Sequence, residues 1–225
     1  MKPEKINDDS DLKIFTEFEQ QMLLRNVHLE DFESRLKRFV FKSKDPNEDV
    51  TVKLKHLQMA FKGNEYLEDI LTNKQSLDWR ILTHNDIFVI DCDDRELESM
   101  EEDPDLTFRV AELQLLGLMY CKCEPKIRVQ KFYEFFQPGL EDAISCEDKD
   151  IITFIPTMGR ICYSAIIELY NQEYDGVGQI FTVDELLPED LAMLDDACNL
   201  LVYDEDNGFI EKVFEVNTRV TQTQF

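Results

Sequence analysis

The chain has 225 residues, of which 43% are hydrophobic and 11% aromatic, a composition that is typical of folded proteins and excludes an intrinsically disordered one. Its 48 acidic and 24 basic residues give a net charge of −24, which repels nucleic acid and anionic membranes and favours basic protein partners or metal cations. No apolar run reaches the roughly 18–20 residues that a membrane-spanning helix needs, so membrane insertion is not expected.

Several other classes of protein are disfavoured by residue spacing. The polar, acidic start at 1–10 argues against a signal or transit peptide, and we therefore expect a cytoplasmic protein. The six cysteines form no Cys-x-x-Cys pair and the three histidines are scattered, so no zinc site is expected. Because the sequence contains no nucleophile elbow, phosphate-binding glycine loop or catalytic triad, it predicts a protein that is not an enzyme.

The first half of the chain is predicted to be mostly helical, because apolar residues recur there at helical spacing. In the second of these helices, for example, Phe32, Leu36 and Phe39 share one face. A short β-branched patch at 50–52 interrupts the helical pattern. The expected helices are 11–25, 29–41, 54–61, 65–72 and 76–82.

The segment 86–105 differs from its surroundings in charge. It contains ten acidic residues and one basic residue, Arg95, and it ends close to an Asp-Pro pair. Such runs are usually solvated, so we predict a linker between an N-terminal lobe at 1–85 and a C-terminal lobe at 106–225. A docking strip for a basic partner is the alternative interpretation of the same acidic run.

The C-terminal half contains two helix–loop–helix patterns, at 125–155 and 159–187. In the first, apolar residues occupy the inward positions of the entering helix, and the loop 137–148 places Ile144 at its eighth position. A 12-residue calcium-binding loop supplies oxygen ligands at fixed positions, and the residues at those positions of 137–148 are poor ligands. Little or no calcium binding is therefore expected there. The inward positions of this helix are Val129, Phe132, Tyr133 and Phe136.

The second pattern has a loop, 171–184, that is richer in oxygen ligands. If Val177 and Gly178 are treated as an insertion, Gly176 falls at the turn position and Ile180 at the eighth position. The residues at the ligand positions are Asn171, Glu173, Asp175 and Asp184.

These two patterns together resemble the EF-hand family of calmodulin-like proteins. The resemblance implies an all-α fold of helix–loop–helix pairs, with short β bridges between paired loops at Ile144 and Ile180. It implies either one weak calcium site at 171–184 or a loop held by hydrogen bonds alone, so no cofactor is required. A weaker resemblance extends to an N-terminal unit near 32–61.

The resemblance implies a non-enzymatic binding or structural subunit that grips a basic amphipathic helix, since paired helices of this kind leave a groove. Divergent members of the family are often parts of cytoskeletal or ciliary assemblies. The alternative is a genuine low-affinity calcium sensor that switches a target protein. The groove residues expected from the sequence are Met119, Phe132, Phe136, Met158 and Met193.

Overall fold

The structure is a computed structural model that describes residues 16–40, 50–84, 87–90, 106–136, 143–145, 149–161, 169 and 219–221. The chain divides into two compact units, one comprising 1–122 and 164–183 and the other 123–163 and 184–225. The described residues are mainly helical and include a small three-stranded sheet, which confirms the coarse prediction of a helical fold. The finer prediction of EF-hand pairing stays a prediction.

The described elements run in chain order as follows. The helices are the 3₁₀ helix η1 (Leu23–Asn26), α1 (Leu29–Val40), α2 (Leu54–Phe61), α3 (Glu65–Thr72), α4 (Leu77–His84), α5 (Val110–Tyr120), α6 (Pro125–Phe136) and α7 (Lys149–Arg160). The strands are β1 (Thr51–Lys53), β2 (Val89–Ile90), β3 (Thr107–Arg109), β4 (Ala143–Ser145) and β5 (Arg219–Thr221).

Helix α1 forms because its sequence is amphipathic. Phe32, Leu36 and Phe39 are all buried, whereas Lys37 and Arg38 on the opposite face are exposed. Glu30 and Asp31 in the first turn and the two bases in the last turn also match the helix dipole. The predicted helix at 29–41 is thus confirmed.

The first unit contains an antiparallel sheet in the order β1–β3–β2. Val52 pairs with Phe108 at the centre of the β1–β3 register, and both side chains are buried. The pairing is symmetric about this point, because Leu54 donates to the carbonyl of Leu106 and Val110 donates to that of Val50. Both strands lead directly into a helix, β1 into α2 and β3 into α5.

The contact between α1 and α5 is close because Gly117 has no side chain. A Cβ atom at Gly117 would overlap Cε1 and Cδ1 of Phe32. The Phe32 ring is buried and also contacts the ring of Phe61, with 5.7 Å between the centroids. Gly117 thus lets α1 and α5 approach each other over the middle of the core.

The acidic segment predicted to be a linker begins within the sheet of this unit. Residues 87–90 include strand β2, which pairs with β3, and Phe88 is fully buried. Residues on both sides of the segment belong to the first unit. Residues 91–105, which hold nine of the ten acidic residues of the predicted linker, lie outside the described residues.

In the second unit, α6 and α7 flank the short strand β4, as the first helix–loop–helix pattern predicts. Aromatic rings join the two helices, with 5.1 Å between the centroids of Phe135 and Phe154. Strand β4 pairs antiparallel with β5, and Ile144 lies opposite Val220. Ile180, the partner expected for Ile144, lies outside the described residues, so that pairing stays a prediction.

Candidate partner-binding surfaces

A surface groove in the first unit, which we call the α3 groove, is lined mainly by α3, with η1 contributing Leu23. Its volume is about 530 Å³, within the range of about 300–1,000 Å³ that is usual for ligand clefts. The lining residues are Leu23, Gly63, Glu65, Tyr66, Glu68, Asp69 and Thr72. They include three acidic residues and no basic one.

The α3 groove also contains apolar surface. Tyr66 is 43% exposed, and Leu23 is half-buried on the η1 side. On the neighbouring helix α2, Met59 is 72% exposed, although it does not line the groove. The groove therefore offers apolar contact next to carboxylates, which is the chemistry that complements a basic amphipathic segment.

The turn before α3 is held by a set of local hydrogen bonds. Gly63 adopts φ +90°, a left-handed conformation that favours glycine, and its N–H donates to the Glu68 carboxylate. The Asn64 side chain accepts from the Leu67 N–H at 3.1 Å and so caps α3. Glu68 is therefore committed in part to the turn, which leaves Glu65 and Asp69 as the carboxylates most available to a ligand.

This turn is also tied to helix α1. The Asn64 amide donates to Asp31 at 2.7 Å, and Asp31 in turn accepts from Arg35 at 2.9 Å. Partial burial acts to raise the pKa of Asp31, but the hydrogen bonds from Arg35 and Asn64 outweigh it and leave that pKa below its ordinary value. The charged carboxylate thus fixes the capping side chain at the start of α3.

We expect Asn64→Ala to lower the free energy of unfolding by about 1 kcal/mol, because it removes the α3 cap. Asn64→Asp should keep the cap acceptor but lose the amide donor and place a second carboxylate beside Asp31. It should therefore also destabilise, and more so at low salt than at high salt. Urea unfolding of the two variants measures both effects; equal losses at low and high salt for Asn64→Asp would contradict the contact with Asp31.

The η1 side of the groove is held by a carboxylate from α4. Asp78 accepts a hydrogen bond from the Leu23 N–H at 2.6 Å and from the Leu24 N–H at 3.2 Å. Its side chain is fully buried, and this burial raises its pKa to about 6 against the lowering effect of the backbone donors. The negative charge of Asp69 in the groove raises the same pKa further.

The second unit carries a partly exposed apolar surface on α6 and α7. Val129 is 47% exposed, and the other members are half-buried: Phe132, Phe135, Phe154 and Met158. The charge around α6 differs from that of the α3 groove, since the helix contains three basic residues and one acidic residue. Of the two surfaces, only the α3 groove complements a basic partner.

The groove residues predicted from the sequence are distributed over both units. Phe132 and Phe136 stack on α6 with 6.3 Å between their centroids, and Met158 lies half-buried on α7. Met119 is half-buried on α5 in the first unit, and Met193 lies outside the described residues. Sequence reasoning missed the α3 groove, although the acidic and aromatic residues at 65–69 on a predicted helix were a visible signal.

The loop predicted as a weak calcium site lies outside the described residues. This applies to all four of its ligand positions: Asn171, Glu173, Asp175 and Asp184. Within the part of the chain that the structure describes, no group of three or more His, Cys, Asp or Glu side chains could hold a metal ion. No helix in that same part is long and apolar enough to cross a membrane.

Comparison of the chain with protein-family models, curated proteins and solved structures finds no match.

Proposed function

We propose that this chain is a non-enzymatic binding protein that holds a basic amphipathic helix of a partner protein, with the α3 groove as the docking surface. The observation that carries the proposal is the composition of the groove. Leu23 and Tyr66 supply apolar surface beside three carboxylates, and none of the lining residues is basic. An amphipathic helix with lysine or arginine beside its apolar stripe complements both features.

The architecture of the first unit supports the calmodulin-like part of this proposal. Two strands that each lead into a helix pair with one another at Val52 and Phe108. Short antiparallel pairing directly before two helices is the arrangement that the EF-hand resemblance implies, although the resemblance places it at Ile144 and Ile180 and not between 51–53 and 107–109. A permanent place in a cytoskeletal or ciliary assembly, which the resemblance also implies, is part of the same proposal.

The proposal is tested with a synthetic amphipathic helix of leucine and lysine, titrated into the full-length chain by calorimetry. Replacing two groove carboxylates, Glu65→Gln with Asp69→Asn, should weaken binding about fivefold to tenfold through the lost charge pairs. The matched control replaces two exposed acids outside the groove, Glu30→Gln with Glu124→Gln, and should leave affinity nearly unchanged.

The apolar part of the groove is tested separately. Tyr66→Ala should weaken binding of the same peptide about tenfold, because an aromatic anchor is removed from the centre of the contact. Met59→Ala is the control, since Met59 is more exposed but does not line the groove. The proposed site is wrong if the groove double variant weakens binding no more than the control double variant, and Tyr66→Ala no more than Met59→Ala. The peptide then binds the acidic chain as a whole.

A further inference from the structure

Asp78 is a buried acid that joins two parts of the chain distant in sequence. It lies in the first turn of α4, with 0% of its surface exposed. Its carboxylate accepts the N–H groups of Leu23 and Leu24, the first two residues of η1. A 3₁₀ helix leaves its first N–H groups without partners inside the helix, so Asp78 caps η1 from another element.

The charged groups around Asp78 do not neutralise it. Helix α3, which packs against α4, contributes Asp69, whose negative charge opposes ionisation of Asp78. From η1, Arg25 donates to Glu19 at 3.1 Å and lies over the ring of Tyr120, 5.7 Å from its centroid. Among the described residues, the groups that favour the charged form are backbone N–H groups, those of η1 and of Asp78 itself.

We propose that the junction between η1 and α4 is proton-linked, so that it holds more tightly when Asp78 carries a proton and opens more readily when Asp78 is charged. The geometry supplies the reason. A charged carboxylate in this position is shielded from water and faces a second carboxylate, whereas opening of the junction returns it to water. A protonated Asp78 loses much less on burial and keeps an acceptor oxygen for an N–H of η1.

The sign of the pH dependence follows from the two pKa values. The pKa of Asp78 is about 6 in the closed junction and 3.8 for the ordinary side chain, so the closed form binds more protons between these values. The stabilisation from Asp78 is therefore complete below about pH 4 and is lost as the pH rises through about 6. The contribution of Asp31 to stability has the opposite pH dependence, because the pKa of Asp31 is lowered in the folded chain. That contribution is lost only below about pH 4.

The junction controls one wall of the α3 groove. Leu23 lines the groove and also donates the shorter of the two hydrogen bonds to Asp78. Opening of η1 therefore displaces this wall, and the groove is formed more completely in mildly acidic than in neutral solution. The proton-linked junction does not rest on the proposed function, because it concerns the free chain and needs no partner.

The test is amide hydrogen exchange of Leu23 and Leu24 in the full-length chain between about pH 5 and 8. After division by the intrinsic exchange rate, the opening equilibrium should rise about tenfold across this range in the wild type. The amide of Leu116, in the interior of α5, is the internal reference and should show no comparable change. In Asp78→Asn, which cannot ionise, the rise at Leu23 and Leu24 should be absent.

Two further measurements keep the test decisive if Asp78→Asn does not fold. The carboxyl carbon of Asp78 in the wild-type chain should titrate near pH 6 by NMR, and Asp69→Asn should move that midpoint to lower pH. An Asp78 midpoint below about 4.5 would overturn the proposal. The proposal would also be overturned if the protection of the Leu23 and Leu24 amides changed with pH as much in Asp78→Asn as in the wild type.

Discussion

Replacing Gly117 with alanine is expected to lower the free energy of unfolding of the first unit by about 1–2 kcal/mol, although alanine is the better helix former. Overpacking a filled core costs about 1–3 kcal/mol, and the gain in helix propensity returns at most about 1 kcal/mol. The new Cβ would overlap the ring of Phe32, and the burial of this ring and its contact with Phe61 oppose its movement away from α5.

A double-mutant cycle separates the overlap from any other effect of the methyl group. In a Phe32→Leu background the space near Gly117 is larger, so Gly117→Ala should become neutral or stabilising by up to about 1 kcal/mol. Urea unfolding of the four proteins gives the coupling. A stabilising Gly117→Ala in the wild-type background would contradict the close approach of α1 and α5.

The helices that could be predicted from the sequence are those whose burial is decided locally. Helices α1, α2 and α3 were expected at 29–41, 54–61 and 65–72 and occur at almost these bounds. Each has one apolar face against the core and a polar face in solvent, so helical periodicity alone identifies it. Helix α4 also occurs close to the expected 76–82, but residues 77–79 and 81–83 are all buried, so it has no continuous polar face. Its start is marked by Ser76, which accepts from the Trp79 N–H and caps the helix.

The elements that could not be predicted depend on partners far along the chain. Strand β3 precedes helix α5 without a break, and its alternation, with Phe108 buried between half-buried Thr107 and Arg109, covers only three residues. This is too short to separate a strand from the apolar helix that follows. The residue that pairs with Phe108, Val52, lies far earlier in the chain, before helices α2 to α4. At the N-terminus, one helix was expected over 11–25; in its described part, helical residues at 16–19 give way to η1.

The candidate site could be predicted only in part for the same reason. Glu65, Tyr66 and Asp69 could be placed on one predicted helix, but the groove also requires Leu23, which reaches α3 only through the tertiary fold. In the sequence, Asp78 is an ordinary first-turn acid. Its burial and its hydrogen bonds to η1 depend on the packing of α4 against η1, which no local pattern encodes.

Arg35→Met is expected to cost about 2–3 kcal/mol of unfolding free energy, more than the loss of an ordinary surface ion pair. The Arg35 guanidinium donates to the carbonyls of Ala60 and Lys62, each at 2.9 Å, and to Asp31. The two carbonyls lie at the C-terminal end of α2, where helix carbonyls lack partners within the helix. One side chain thus completes the end of α2 and positions the group that holds Asn64.

Two comparisons distinguish the carbonyl contacts from the ion pair. Arg35→Lys keeps the charge, but its single ammonium lacks the planar fork of arginine and should recover only about half of the loss. Asp31→Ala removes the ion pair and leaves the carbonyl contacts, so it should cost less than Arg35→Met, since Asp31 is 38% exposed. In about 1 M salt the ion-pair part is screened and the carbonyl part remains, so Arg35→Met should retain most of its effect. If the loss of unfolding free energy disappears in salt, the ion pair with Asp31 accounts for the effect of Arg35, and the hydrogen bonds to the carbonyls of α2 do not.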